Sequence, residues 1–256
     1  MKAIKFLSVA AISFVSACGG GTTSATAKSA TANFTTLKAF SDGAGVGRGV
    51  ASDGTQLVFI APDVAEVVAS ANQADPADLQ FSDFAIMETL PTAVIREGTI
   101  TVEGVVANIT IVEDNGGEAG IIYMQIPGVA DAVFASGSAF GAAPNGSFTY
   151  NGVHIIQSRF VGDGEAGTFS LSADFNNRTF SYNGSTLSSS LSGSGTIDTV
   201  NGRFASNTLN SNVGGDTAFA TMYGQLHGDS AQSVSGVFHT NESDPSYGGA
   251  FVGSRP

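Results

Sequence analysis

The amino-acid sequence predicts an all-β protein, in which a β-rich N-terminal domain precedes a C-terminal eight-stranded antiparallel β-barrel. Three observations support this fold class. Apolar and polar residues alternate with a period of two in many short segments, which is typical of strands with one buried face. Turn-forming residues separate these segments at intervals of about 8–14 residues. The composition suits short strands and tight turns, with 33 glycines and no tryptophan among 256 residues.

Strand signals in residues 40–145 are rich in β-branched side chains, which fit the pleated surface of a sheet. They lie at 57–60, 96–114, 120–126 and 131–136. Turns are predicted at Glu103-Gly104 and Asn115-Gly116, and residues 63–81 are compatible with a short helical turn. GAGVGRG at 43–49 is glycine-rich but lacks the spacing of a dinucleotide-binding loop, so we predict a flexible loop there.

The alternation is sharpest after Gly146. In GTFSLSADF, residues 167–175, every second side chain from Phe169 to Phe175 is apolar. Turns are predicted at Asn176-Asn177 and Asn201-Gly202, because asparagine and glycine tolerate positive φ. Further strands are predicted over 147–155, 179–184, 217–228, 233–240 and 248–254. About eight strands with polar turns favour a closed antiparallel barrel, which has no exposed sheet edges.

The first seventeen residues have the order of a secretory signal peptide. Lys2 and Lys5 precede an apolar run, Phe6 to Val15, and small residues follow. The run is about half the length of roughly 20 residues that a membrane-spanning helix needs. Residues 1–17 are therefore expected to be a removed leader.

Cys18 is the single cysteine, so it cannot form an internal disulfide. Val15, Ser16, Ala17 and Cys18 together resemble the lipobox of bacterial lipoproteins, which implies cleavage before Cys18 and acyl chains on its sulfur. Several acyl chains hold a protein firmly to a bilayer. The alternative is an ordinary signal peptide whose cysteine lies near the cleavage site by chance.

The residues after the cysteine suggest a tether and a location. Gly19 and Gly20 follow Cys18 with no aspartate, which by resemblance to Gram-negative lipoproteins favours the outer membrane. Residues 18–39 are of low complexity and predict a flexible tether with a reach of roughly 25 Å.

The charge of the chain excludes one class of partner. The formal net charge is −12, and removal of residues 1–17 leaves 8 basic against 22 acidic residues, a charge of −14. Phosphate backbones would be repelled, so nucleic acid is not expected as a ligand.

The C-terminal 110 residues resemble the β-barrel of transferrin-binding protein B and related surface lipoproteins. That barrel has a G-x-(aromatic or Leu)-x-G strand, a turn containing alanine, a G-(apolar)-F strand and a terminal G-A-F-G. The corresponding segments here are Gly224–Gly228, Ala231, Gly236–Phe238 and Gly249–Gly253, and SFTYNGVHI fits the opening strand. Leu226 and Phe238 are expected to fill the lumen.

The resemblance implies that 1–17 is the signal peptide, 18–39 the tether, 40–145 a handle-like domain and 146–256 the barrel domain. It also implies export to the cell surface by a dedicated translocator and binding of a protein, or of a haem- or metal-carrying ligand. The chain departs from the family pattern at Asp229, Gln232 and Ser233. Single-lobe relatives, such as factor H binding protein and haemophilin, bind different ligands, so the fold transfers better than the ligand.

Few residues suggest chemistry. Ser230 lies in the sequence Gly-Asp-Ser-Ala. Gly, Asp and Ser are typical turn residues, so Ser230 is expected in a turn rather than at a catalytic site. Tyr223, His227 and His239 are candidate ligand contacts on the predicted 217–240 hairpin, although the strand histidines are expected to be exposed. The parity of Tyr223 and His227 places them on one face, which can point outwards or inwards. His227 and His239 lack a third metal ligand within the hairpin, and His154 lies on a separate strand.

The acidic clusters Glu113-Asp114 and 163–165 are expected in solvated turns, since they lack calcium-loop spacing. The sequence therefore predicts no catalytic residues, no metal and no cofactor. It favours a non-enzymatic outer-membrane lipoprotein, exposed at the surface, that binds a ligand through its loops. The alternative is a structural or shielding lipoprotein that stays periplasmic and has no specific ligand.

Overall fold

A computed structural model describes residues 43–50, 56–64, 80–102, 105–126, 130–158, 164–241 and 247–256. All its strands pair in antiparallel fashion and form one open sheet and one closed barrel. The predicted all-β class is confirmed. Residues 1–42, which hold the signal peptide, Val15, Ser16, Ala17 and Cys18, lie outside the described part of the chain.

The open sheet has seven strands in the order β2-β1-β7-β6-β5-β4-β3. The strands are β1 Gly43–Val50, β2 Gln56–Val64, β3 Ala85–Thr89, β4 Ala93–Val102, β5 Val105–Asp114, β6 Ala119–Ile126 and β7 Ala130–Gly137. A short 3-10 helix, Phe81–Asp83, precedes β3. The helical turn predicted within 63–81 falls mostly on residues outside the described ranges.

The prediction of a loop over 43–49 was wrong. These residues form most of β1, which pairs with β2 on one side and with β7 on the other. Glycine weakens a strand in isolation, but two hydrogen-bonded neighbours and the burial of Val46 override that local preference.

The barrel closes through the pairing of its first and last strands, with Val153 opposite Val252. Its strands are β8 Ser147–Ser158, β9 Glu165–Asp174, β10 Thr179–Ser185, β11 Ser189–Asp198, β12 Arg203–Val213, β13 Asp216–His227, β14 Ser233–Thr240 and β15 Tyr247–Ser254. The predicted eight-stranded antiparallel barrel is confirmed.

Both predicted barrel turns are present, but one differs in which residue adopts the left-handed conformation. The left-handed residue after β9 is Arg178, with φ of 56°, rather than either asparagine before it. Those asparagines are instead held by Asp174, which accepts hydrogen bonds from the backbone N–H groups of Asn176 and Asn177. The predicted Asn201-Gly202 turn is present, with Gly202 at φ of 70°.

Large apolar side chains, many of them aromatic, fill the barrel lumen. Leu226 and Phe238 are both fully buried there, as predicted. The rings of Phe251 and Phe238 lie directly against Gly236 and Gly249. A Cβ atom at either glycine would overlap the ring, so these two positions require a residue without a side chain.

The sheet covers one side of the barrel. The outer faces of β8, β14 and β15 pack on β1, β5, β6 and β7 through an apolar cluster that includes Val46, Val133, Val237 and Val252. Every residue of β14 is consequently buried, because one face meets the lumen and the other meets the sheet. By contrast, β10 is buried only at alternate residues.

Candidate functional site

The barrel lumen is densely packed with buried side chains. Its interior contains a continuous cluster of large side chains. Among them are Tyr150, Phe169, Leu171, Phe180, Tyr182, Phe204, Phe238 and Phe251. The lumen is therefore the hydrophobic core of the barrel.

His154 is part of this filled lumen. Its Nδ1 lies 3.1 Å from the hydroxyl oxygen of Tyr182, and its ring is in contact with Phe238. Burial lowers the pKa of His154 to about 4, because the charged imidazolium would lose its hydration. His154 is thus a neutral core residue at physiological pH.

Tyr223 and His227 share one face of β13, and the orientation of this strand determines whether that face points into or out of the barrel. Met222 and Leu226 lie in the lumen, so the alternate residues Tyr223 and His227 point outwards. The seven-stranded sheet covers this outer face, and Tyr223 packs against the apolar cluster between sheet and barrel. The expectation that the strand histidines are exposed was wrong.

His227 joins the barrel to the sheet. Its Nδ1 lies 2.9 Å from the carbonyl oxygen of Ser138, which can only accept, so Nδ1 carries the proton. Its Nε2 lies 2.8 Å from the hydroxyl of Ser235 and accepts from it in the neutral ring. The side chain is 2% exposed, and burial lowers its pKa to about 4.

His239 lies on the same outer face, on the neighbouring strand. Its ring centroid is 6.2 Å from that of Tyr223, and its Nδ1 donates to the carbonyl of Thr240 at 2.8 Å. Burial lowers the pKa of His239 as well. The structure thus brings Tyr223 into contact with His239. His227 lies four residues further along β13, on the same face.

A cleft of about 250 Å³ lies where the sheet meets β11, β12 and β13. Tyr223 and His227 are in its wall, whereas His239 is not among its lining residues. The polar residues of the wall include Asp198, Arg203 and Gln225. The cleft therefore offers an acid, a guanidinium, an amide and a phenol within one concave surface.

Asp198 and Arg203 were not expected from the sequence. They face each other across the β11–β12 hairpin, and Arg203 is opposite Gln225 on β13. Hydrogen bonds from Asn201 and from the backbone N–H of Val200 lower the pKa of Asp198. The predicted Asn201-Gly202 turn accounts for the pairing of Asp198 with Arg203, whereas the position of Gln225 beside them depends on the register between β12 and β13.

The acidic cluster at 113–114 is not in a solvated turn, contrary to the sequence expectation. Asp114 is 2% exposed and lies at the junction of sheet and barrel. Its carboxylate accepts hydrogen bonds from the backbone N–H of Gly116, Glu118 and Ala119 and from the hydroxyl of Ser233. Burial outweighs these bonds and raises its pKa.

Ser230 lies in a turn, as predicted. Gly228 and Ala231 both have positive φ, and the backbone N–H of Ser230 donates to Oε1 of Gln232. Tyr150 donates to the carbonyl of Ala231 at 2.7 Å, which fixes the turn at the end of the barrel. The ring nitrogens of His227 bind Ser138 and Ser235 rather than Ser230, so this serine has no positioned base in that ring.

No group of three or more His, Cys, Asp or Glu side chains among the described residues has the arrangement of a metal site. No helix in the described ranges has the length and hydropathy required to cross a bilayer.

Neither a protein-family model nor a curated protein matches this sequence. Solved structures do match its fold. An intact transferrin-binding protein B with N and C lobes aligns with a TM-score of 0.52 at 12% identity, covering 83% of this chain and 46% of the other. The isotype 1 protein from serogroup B Neisseria meningitidis gives a TM-score of 0.53 at 12% identity, covering 83% and 44%.

A variant of transferrin-binding protein B from Haemophilus parasuis Hp5 gives a TM-score of 0.54 at 12% identity, covering 82% of this chain and 44% of the other. The chain therefore spans less than half the length of these proteins. The resemblance predicted from the C-terminal glycine motifs is confirmed for the fold: sheet and barrel together have the fold found in transferrin-binding protein B.

Proposed function

We propose that this chain is an acylated, non-catalytic lipoprotein of the outer membrane, exposed on a Gram-negative cell, that binds a protein or a haem- or metal-carrying ligand. The observation that carries the proposal is the fold shared with transferrin-binding protein B. The packed lumen supports it, since a filled barrel serves as a rigid scaffold for an outer binding surface.

The anchor in this proposal is Cys18, with Val15, Ser16 and Ala17 as the lipobox. Residues 18–39 form the tether, residues 40–145 the handle-like domain and residues 146–256 the barrel domain. A tether of this length holds the folded part within roughly 25 Å of the bilayer. A dedicated translocator moves the acylated protein to the outer leaflet, as the family resemblance implies.

The ligand contacts in this proposal lie at the cleft between sheet and barrel. Tyr223 contributes a ring with a polar tip, the residue type that dominates protein interfaces. Arg203 and Gln225 add donors beside it. His227 and His239 act indirectly. His239 packs against the ring of Tyr223, and His227 fixes the cleft wall through its hydrogen bonds to Ser138 and Ser235.

Protease treatment of intact cells tests the exposure. We expect added protease to remove the protein from whole cells while a periplasmic marker survives. Survival of the protein on intact cells, together with its digestion after lysis, would instead favour the periplasmic structural lipoprotein.

A binding screen tests the ligand class. Purified full-length protein in detergent is immobilised and exposed to transferrin, to haem-carrier proteins and to whole serum. We expect retention of one protein that is lost in Arg203→Gln but kept in Arg178→Gln. The second arginine is a matched control, since it is also at a barrel hairpin but does not line the cleft. Retention of no protein from any of these sources would contradict the proposal.

A further inference from the structure

Where the barrel wall is exposed beyond the contact with the sheet, two parallel rows of side chains cross its strands, one from β8 to β13 and the other from β9 to β13. Strand pairing sets both rows. One row consists of Asn151, Ser170, Asn183, Ser192, Asn210 and Phe219. The other consists of Thr168, Ser185, Ser190, Asn212 and Thr217. Ten of these eleven side chains are hydroxyls or amides, and none is charged.

The fold alone does not require this composition. Asparagine is depleted from sheets, yet four of these eleven positions carry it. Exposed strand faces usually carry charged residues, which favour solubility. Positions where a sequence departs from local preference without a structural gain are expected at functional sites.

Part of this face is concave and contains an exposed aromatic ring. A hollow of about 440 Å³ is lined by Ser190, Ser192, Asn210, Asn212, Thr217 and Phe219. The ring of Phe219 is 60% exposed. The Oδ1 of Asn212 accepts from the backbone N–H of Gly215 at 3.1 Å, which leaves its Nδ2 as the group available to a ligand.

A second hollow of about 310 Å³ lies on the same rows and is lined by Asn151, Thr168, Ser170, Asn183 and Ser185, together with Thr92 from the β3–β4 turn of the sheet. Because neighbouring strands are about 4.8 Å apart, a row of six strands follows the barrel wall for about 24 Å. The two hollows lie on the same rows, one over β8 to β10 and the other over β11 to β13.

We propose that this hydroxyl-amide face binds an uncharged polysaccharide chain that lies across the strands. Sugar hydroxyls donate and accept hydrogen bonds, and so do serine, threonine and asparagine side chains. The C–H face of a sugar ring packs on an exposed aromatic ring, the position that Phe219 provides. A chain of repeating units engages several weak subsites at once, so modest contacts add through effective concentration.

The charge of the protein excludes the alternative of an acidic polysaccharide. The formal net charge is −12, and the face carries no lysine or arginine that could neutralise an anionic polymer. The inference is independent of the proposed protein ligand, whose cleft lies on other residues.

Affinity electrophoresis of the full-length protein in detergent tests the inference. Native gels contain dextran, laminarin, the uncharged polysaccharide fraction of the producing cell's envelope, dextran sulfate or no polymer. We expect slower migration with at least one of the uncharged polymers and not with dextran sulfate. Phe219→Ala should weaken that association about tenfold, and Asn210→Ala should weaken it as well.

Leu187→Ala is the matched control. Leu187 is 98% exposed and lies outside both hollows, so its truncation removes a surface apolar side chain without touching the face. Migration unaffected by all three uncharged polymers, retardation by dextran sulfate alone, or equal retardation of wild type and Phe219→Ala would overturn the inference.

Discussion

The hydroxyl of Ser233, at the start of β14, donates a 2.6 Å hydrogen bond to Oδ2 of Asp114, at the end of β5. The two residues are 119 positions apart in the chain and join the barrel to the sheet. Asp114 also accepts three backbone N–H groups from the turn that follows it. A buried carboxylate with four donors fixes both the turn and the junction.

Replacement of Asp114 by asparagine should destabilise the protein by about 2–3 kcal/mol, because an amide presents its own N–H groups to donors and leaves buried partners unpaired. Urea unfolding measures this change in the free energy of unfolding. Asp174→Asn is the control, since Asp174 also accepts three hydrogen bonds but is exposed to solvent. An equal loss in both variants would contradict the structural role of burial at Asp114.

Stability should fall as the pH drops from 7 to 5. The folded-state pKa values of His154 and His227 are about 4, below the unfolded value of about 6.5. The unfolded chain therefore takes up protons first, and each histidine removes about 2 kcal/mol over this interval. The raised pKa of Asp114 acts in the opposite direction, but mainly at lower pH, where the carboxyl protonates.

The contribution of His227 to the pH dependence of stability can be measured separately. In His227→Gln the slope of unfolding free energy against pH between 7 and 5 should be shallower than in the wild type, whatever the variant's stability at pH 7. Urea titrations at several pH values give this slope. An unchanged slope would mean that His227 titrates normally and is not buried neutral.

Phe238 is one of the large, fully buried side chains of the lumen. Its side chain is fully buried beside Gly249, so Phe238→Ala should cost about 3–5 kcal/mol. Phe219→Ala, at an exposed ring on the same barrel, should change stability by less than about 0.5 kcal/mol. Calorimetry of both variants compares a core phenylalanine with a surface phenylalanine in one protein.

Arg178 occupies a left-handed conformation, with φ of 56°, in the β9–β10 turn. The left-handed conformation costs a non-glycine residue about 1 kcal/mol or more, whereas glycine adopts it without this cost. Arg178→Gly should therefore raise the stability, by up to about 1 kcal/mol after the entropy cost of the glycine in the unfolded chain. Asn177→Gly, one residue earlier, should not stabilise, and a gain there would relocate the left-handed position.

The barrel could be predicted because its strands alternate cleanly and its glycine motifs are local. β10 shows the alternation directly, since Phe180 and Tyr182 are buried between exposed neighbours. β1 could not be predicted, because its glycine-rich residues form a strand only between β2 and β7. The strand propensity of the β1 residues does not indicate which distant strands will pair with them.

The site was predictable only in part, for a related reason. The shared parity of Tyr223 and His227 was visible in the sequence, but the direction of their face depends on the sheet that covers it. The burial of His227, His239 and Asp114 likewise follows from contacts with strands far away in the chain. The pairing of Arg203 with Gln225 required the strand register.

Mass spectrometry of the N-terminus of the protein isolated from its own membranes tests the central proposal most directly. A surface lipoprotein should begin at Cys18 and carry diacylglycerol on the sulfur, and Cys18→Ser should release or mislocalise it. A free thiol at Cys18 with residues 1–17 still attached would contradict both the anchor and the function built on it.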